Sequence, residues 1–263
     1  MLDSSLNFLK PYEADDLIRV GRNQDGGYIV PKNILNKSNF LLSFGMANDW
    51  SFEEDFLKYN SINKVHIYDH SVNYSYFLLR FYKSIKRFFY LKSSLKNIYI
   101  KFKELTNFVR IDNKKLIHFK KKVDLSSDKN SSSIDDIFSS LKRDNIIVKI
   151  DIEGDEYKIL NNVLNFSNRI NALIIEFHEI DKKRNEFLSL IKEIQKNYYI
   201  IHLHGNNITG YCRDNLPKTI EFTFIKINSK DSMSLKKNKN YPIKNLDFAN
   251  HPYMEDIQIN FAD

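Results

Sequence analysis

Cysteine is almost absent from this chain of 263 residues, with Cys212 the one example. An intrachain disulfide and a cysteine-rich metal site are therefore both excluded. Long apolar runs are missing too, and none approaches the length needed to cross a bilayer. The start, Met1-Leu-Asp-Ser-Ser5, lacks the basic-then-apolar order of a secretion signal, so a cytoplasmic location is expected. Glycine is scarce. The seven glycines lie at 21, 26, 27, 45, 154, 205 and 210, and each is expected to mark a tight turn or a close backbone approach. Neither Gly-x-Gly-x-x-Gly nor a phosphate-cradling Gly-Lys-Ser/Thr occurs, which disfavours a nicotinamide dehydrogenase and a P-loop nucleotide hydrolase.

What is present is ordinary globular composition, 42% apolar and 28% charged, which argues against wholesale disorder. The net charge of +7 is unevenly spread. Lysines crowd 83–122 and 226–244, while acids gather at 13–16, 53–55 and 151–156. This balance permits an anionic partner: a nucleotide-linked substrate, an acidic glycan, nucleic acid or an anionic membrane surface.

Strand and helix patterns alternate along the chain. Strands are expected at 40–44, 65–69, 116–119, 146–152, 172–178, 199–204 and 219–227, with helices at 51–60, 73–91, 133–143, 155–165 and 184–197. Alternation of this kind implies a mostly parallel sheet with helices on both faces, a doubly wound α/β fold. The last two strands are joined without a helix-length segment and so suit an antiparallel hairpin. Residues 6–20 are expected to hold a short helix, followed by a turn over 21–27 and a short strand, Tyr28–Val30. Residues 1–38 would form a cap or lid, and 229–263 a C-terminal extension on a single domain. The stretch 229–246 reads as a polar, lysine-rich excursion, and 256–261 as one more edge strand.

The densest chemistry lies in Lys149-Ile-Asp-Ile-Glu-Gly-Asp-Glu-Tyr-Lys-Ile-Leu160. A buried strand there delivers Lys149, Asp151 and Glu153 to one side, because alternate residues share a face. Gly154 then breaks the strand, and Asp155-Glu156 open a helix whose positive end favours carboxylates. Glu176 and His178 share a face of the next strand, as do His202, His204 and Asn206 of the one expected beside it. A carboxylate close to a histidine fixes its tautomer and raises its pKa, which suits a general base acting on a hydroxyl; burial acts in the opposite direction. His178 and His204 are the candidate bases, oriented by Glu153 or Glu176. The same groups are chemically able to hold a divalent metal, and a metal-free base is preferred.

Earlier in the chain, the first strand ends at Gly45, where a ligand can approach the backbone beside Met46 and Asn48, and Ser51 is placed to cap the following helix. Asp69 ends the second strand, where an acid takes both ribose hydroxyls of a nucleoside, with His70 and Ser71 placed to contact the same ligand, or where Asp69 or Ser71 caps a helix. Asp25-Gly-Gly-Tyr28 is a turn that could also fold over a ligand. The segment 73–103 interleaves aromatics with Lys and Arg. Such a mix is able to bind single-stranded nucleic acid or sit at a membrane surface; its commoner meaning is core aromatics with a wet lysine side, and its rarer one an acceptor-binding or dimer face.

These residues resemble the FkbM family of S-adenosylmethionine-dependent methyltransferases. The family core Lys-Ile-Asp-Val-Glu-Gly-x-Glu-x-x-Val-Leu is matched at 149–160, its Ser-Leu-Asp-Asp-Leu by Ser133-Ile-Asp-Asp-Ile137, and its Glu-bearing strand by Leu173-Ile-Ile-Glu-Phe-His178. Where most relatives carry Asp-Val-Gly-Ala-Asn, this chain has Ser43-Phe-Gly-Met-Ala-Asn48. The resemblance implies a seven-stranded, Rossmann-like class I methyltransferase sheet with its last strand antiparallel. It also implies S-adenosylmethionine lying over Gly45, its ribose on Asp69, its adenine near Lys122 to Leu125 and its sulfonium near Asp151. Relatives mostly O-methylate hydroxyls of sugars and natural products. The expected acceptor is accordingly a sugar hydroxyl of a bacterial surface polysaccharide or its nucleotide-linked precursor. Nucleic acid is the less favoured acceptor, although the basic aromatic segment suits RNA, and no Asp/Asn-Pro-Pro-Tyr motif is present. A non-catalytic partner in glycan assembly is the remaining alternative.

Overall fold

Ile146-Ile-Val-Lys-Ile150 exposes nothing to solvent: all five residues are buried, as a strand at the centre of a two-faced layer requires. In a computed structural model, which describes residues 1–111, 114–227 and 233–262, this segment is the middle of a seven-stranded sheet. The strands are β1 (Phe40–Phe44), β2 (Lys64–Tyr68), β3 (Leu116–Phe119), β4 (Ile146–Ile150), β5 (Ile170–Phe177), β6 (Tyr198–Gly205) and β7 (Ile220–Lys226). Their spatial order is β3-β2-β1-β4-β5-β7-β6. Neighbours from β3 to β5 pair in parallel, and β7 runs antiparallel to both β5 and β6.

Period-two alternation divides the apolar residues between two cores. Phe40, Leu42 and Phe44 of β1 and Val148 and Ile150 of β4 join one cluster, while Leu41 and Ile147 join the other. The first face is covered by α5 (Ile134–Ser140), α6 (Glu156–Leu164) and α7 (Arg184–Ile194), through residues such as Phe138, Leu160 and Phe187. The second is covered by α1 (Lys32–Lys37), α2 (Ser51–Tyr59), α3 (Tyr74–Phe89) and α4 (Leu95–Ile111), through Ile34, Phe52, Phe77 and Leu105. In α7 the buried set is Phe187, Leu190, Ile191 and Ile194, a helical stripe. Each such side chain contributes about 1.5–3 kcal/mol relative to exposure.

The N-terminal region departs from the sequence reading. A 3-10 helix occupies only Ser4–Leu9, and strands follow at Tyr12–Ala14 and Leu17–Val20. The reason is strand pairing, long-range in one case and local in the other: Tyr12–Ala14 lies against Met233–Lys237, and Leu17–Val20 forms a hairpin with Tyr28–Pro31. Part of the lysine-rich stretch 229–246 is thus strand, and residues 229–232 lie outside the described ones. The tail does not extend the main sheet. Its strand is just Ile259–Asn260, paired with Asn240–Tyr241. Ser51 is not a cap: its amide donates to Asp49 and its hydroxyl accepts from the Arg22 amide. Helices α1 and α4 lie outside the expected helical stretches.

Candidate functional site

The strand order reverses between β1 and β4, and in open α/β sheets that switch point is where ligands bind, outside the carboxyl ends of the strands. Gly45 follows β1 there and Asp151 follows β4. Gly45 takes φ +86, and a Cβ at that position would lie 1.7 Å from the Asp151 carbonyl oxygen, so the two chain ends meet only because residue 45 has no side chain. The next turn is held electrostatically. The Met46 and Ala47 amides each donate to Asp69 Oδ2 at 2.9 Å, and the Ser71 amide and hydroxyl donate to Oδ1 at 2.7 and 2.6 Å. Burial would raise the Asp69 pKa, but these bonds from Ser71, Met46 and Ala47 prevail and hold it below the ordinary carboxylate value. Helix α3 is capped by Asn73, not by Asp69 or Ser71.

Two cavities meet at this rim. One, of about 280 Å³, runs along Gly45, Met46, Ala47, Asp69, His70 and Lys122 to Asp151 and Glu153. The other, of about 240 Å³, is lined by Asp25, Asn48, Lys149, Glu176, His178 and Asn206, among others. Met46, Ala47, Asp151 and Glu153 border both. In the first cavity, Lys122 bonds Asp155 at 2.7 Å and lies 3.4 Å from Asp124, and Val123 contributes an apolar wall. Leu125, expected near the adenine, is exposed and does not line it. Asp25 and Asn48 belong to the second cavity. Tyr28 borders neither; it is buried, and its hydroxyl donates to Asp151 Oδ2 at 3.0 Å.

Lys149 is the buried cation beneath the second cavity. Its Nζ donates to the Gly45 carbonyl at 3.0 Å, lies 3.5 Å from Glu53, and faces the Tyr28 ring. Burial pulls its pKa down, but Glu53 and Asp151 raise it more, so Lys149 keeps its proton. His178 stands among carboxylates, its Nε2 3.6 Å from Glu153, 3.8 Å from Glu176 and 3.9 Å from Asp151. Its Nδ1 is 3.4 Å from Glu156. Burial lowers the imidazole pKa, and Glu156, Glu176 and Asp151 overcome that to push it up to about 10. Glu176 is raised well above its usual value by burial and by Asp151 and Glu221.

His204 is elsewhere. Strand β7 inserts between β5 and β6, so the histidines are not on neighbouring strands as the sequence reading had them. Glu176, Glu221 and His204 instead form a row across β5, β7 and β6. His204 Nε2 is bound to Asp256 at 3.0 Å, and the ring is buried and does not line the cavity. Burial lowers its pKa, but Asp256 and Glu221 push it up to about 10. His202 is likewise buried, on Asp247.

Glu156 and Glu221 are the residues sequence reasoning undervalued. Fully buried Glu156 accepts from the Gly154 amide at 2.9 Å and the His178 amide at 2.7 Å, tying the turn after β4 to the end of β5. Its position in the Glu-Gly-x-Glu spacing was the available signal. Glu221 accepts from Asn250 at 2.8 Å, a partner far away in sequence that no local pattern announces. Ligand atoms of Asp151, Glu153 and His178 lie within 4.8 Å of one another, as do those of Asp25, Glu176 and Glu221, so either trio has the reach to hold a cation.

The order β3-β2-β1-β4-β5-β7-β6 with β7 reversed defines the Rossmann-like fold of class I methyltransferases. Among solved structures, the chain is similar to fibrillarin in its complex with Nop5p (12% identity, TM-score 0.40, covering 73% of this chain and 74% of that one). It is also similar to the plantazolicin methyltransferase BpumL in complex with SAH (10%, 0.36, 74% and 83%). A third is precorrin-6y C5,15-methyltransferase from Geobacter metallireducens (8%, 0.33, 73% and 85%). No protein-family model and no curated protein matches the chain. These are distant likenesses, and the fold class rests on the strand order itself. No helix among the described residues is long and apolar enough to cross a membrane.

Proposed function

We propose that the protein is an S-adenosylmethionine-dependent O-methyltransferase acting on a sugar hydroxyl, as its resemblance to the FkbM family implies. The observation that carries the reading is the pair of cavities meeting at Met46, Ala47, Asp151 and Glu153, one suited to a donor and one to an acceptor. The donor side fits a nucleoside. Asp69 stands at the end of β2, and only the rotatable Ser71 hydroxyl need swing aside to free a lone pair for ribose. The close approach at Gly45 leaves the rim open beside Asp151. When bound, S-adenosylmethionine supplies an electrophilic methyl group.

The acceptor side is rich in hydrogen-bonding groups, from Arg22, Asp25 and Asn48 to Glu176, Asn206 and Thr209, which suits a polyhydroxylated ligand. Leaving aside Glu176, whose pKa is raised, Asp25, Asp49, Asp151 and Glu153 outnumber Arg22, Lys149 and His178 there, favouring an uncharged sugar over one carrying a nucleotide diphosphate. A sugar hydroxyl needs a base as its oxygen takes the methyl group. His178 is the base in this reading, because it lines the cavity and His204 does not. Glu153 and Glu176 orient the ring, and positioning does the remainder.

The test is incubation with labelled S-adenosylmethionine and a panel of neutral glycans, nucleotide sugars and RNA, with and without chelator. Label on a glycan hydroxyl is the expected result, and loss of label with chelator would assign a metal. Label confined to RNA, or no cofactor binding by calorimetry, sinks the reading.

A further inference from the structure

Helices α3 and α4 form an antiparallel hairpin inserted between β2 and β3. Its base belongs to the core: Phe77 and Leu105 are buried, and Phe77 and Phe108 stack at 4.5 Å. Towards the tip the burial stops. Phe89 is 77% exposed, Tyr90 66%, Leu91 95% and Leu95 68%, four large apolar side chains within seven consecutive residues. The outward face of α3 continues this surface through Tyr74, Leu78 and Tyr82, at helical spacing. The commoner reading of this segment, aromatics inside and lysines outside, therefore holds at the base and fails at the tip.

The same hairpin is intensely basic. Residues 74–111 carry nine Lys and Arg and one acid, Glu104. Glu104 pairs with Arg80 and Lys101, so Lys83, Lys86, Arg87, Lys92 and Lys96 have no carboxylate partner among the described residues. Exposed Lys86, Arg87, Lys92 and Lys96 flank the apolar tip in sequence. We propose that this hairpin docks the protein on an anionic lipid bilayer, with Phe89, Tyr90, Leu91 and Leu95 entering the headgroup layer and the surrounding cations meeting lipid phosphates.

Charge complementarity selects this occupant. A second copy of the chain would bring like-charged hairpins together, which is unfavourable. A nucleic-acid strand would satisfy the cations and the rings, but it offers nothing to the aliphatic Leu91 and Leu95 at the apex. Lipid accommodates both kinds of group, as in helices that lie in a membrane interface. The hairpin rests on the membrane and does not span it, since α3 carries Arg80, Lys83, Lys86 and Arg87 within its length. A groove of about 300 Å³ lined by Ile100, Lys103 and Asn107 of α4 leads to Arg22, Asn48 and Asp49, which also border the acceptor cavity. A docked molecule would thus present the acceptor cavity to membrane-linked material. Docking itself does not depend on what that cavity binds.

The test is co-sedimentation of the full chain with vesicles of phosphatidylcholine alone and of phosphatidylcholine with phosphatidylglycerol. Binding to the anionic vesicles is expected to exceed binding to the neutral ones about tenfold or more and to fall as salt rises. Phe89→Ser with Leu91→Ser, and separately Lys86→Glu with Arg87→Glu, should each weaken it about tenfold, with melting temperature unchanged because all four side chains are exposed. Failure to bind anionic vesicles overturns the proposal, as does equal binding by the variants. Binding of a single-stranded oligonucleotide without vesicle binding, or a dimer abolished by the same substitutions in place of vesicle binding, also overturns it.

Discussion

At residue 45 the backbone leaves no choice of side chain. Gly45→Ala would combine a left-handed φ with a Cβ inside the Asp151 carbonyl, so it should lower stability by at least about 1–3 kcal/mol, read as a fall in melting temperature. Asp69 has a second duty besides its proposed ribose contact, because it anchors the 46–47 amides. Asp69→Ala is expected to weaken S-adenosylmethionine binding about tenfold or more by calorimetry, since it removes a charged acceptor and loosens the turn. Ser71→Ala should leave affinity intact or improve it; a large loss would show that the Ser71 hydroxyl is itself a ligand. His178 is held protonated at neutral pH, so a base function requires the proton to leave first. Turnover should therefore rise with pH toward about 10. His178→Ala should cut turnover by about 10²-fold or more and flatten that rise, with cofactor affinity nearly unchanged. A profile that is flat in the native protein would reassign the base.

Among the elements, the N-terminal hairpin is a built wall, with Val20, Tyr28 and Val30 in the core and the Thr223 hydroxyl of β7 donating to the Ile29 carbonyl at 2.6 Å. Tyr28 connects that wall to Asp151. Tyr28→Phe keeps the edge-on packing against Phe52 and deletes one hydrogen bond to a carboxylate, so a cost of about 1.5–3 kcal/mol is expected in a denaturation curve. Strands β1 and β3 keep their expected bounds, β1 because a near-continuous apolar run buried throughout marks a central strand, while β3, at the sheet edge, buries only Leu116. The strand at Tyr12–Ala14 was invisible, because its partner at Met233–Lys237 lies more than two hundred residues away and neither has a telling local pattern.

For the whole molecule, one half-buried and one buried imidazole link stability to pH. His178 and His204 have folded pKa values near 10 against an ordinary 6.5. A raised pKa means that the folded state holds the proton more tightly. Their contribution is therefore complete below about 6.5 and is lost as pH rises through about 10. Melting temperature should decline over that window, and less steeply in His204→Asn, which cannot take up the proton; an unchanged slope would show that Asp256 and Glu221 do not hold His204 charged.

Alone, the amino-acid order determined the alternation of strand and helix, the reversed final pair, and the clustering of acids after β4, because these follow from side-chain periodicity and from glycine. Only the tertiary structure decided that β7 separates β5 from β6, which carried His204 away from the cavity and left His178 in it. It also decided that Glu156 braces the turn, that Asp25 lies beside Glu221, and that the aromatic hairpin tip is bare. Pairing across a sheet and closure of long loops bring together residues whose sequence neighbourhoods carry no trace of one another, so burial, partners and charge state at the site were settled in space.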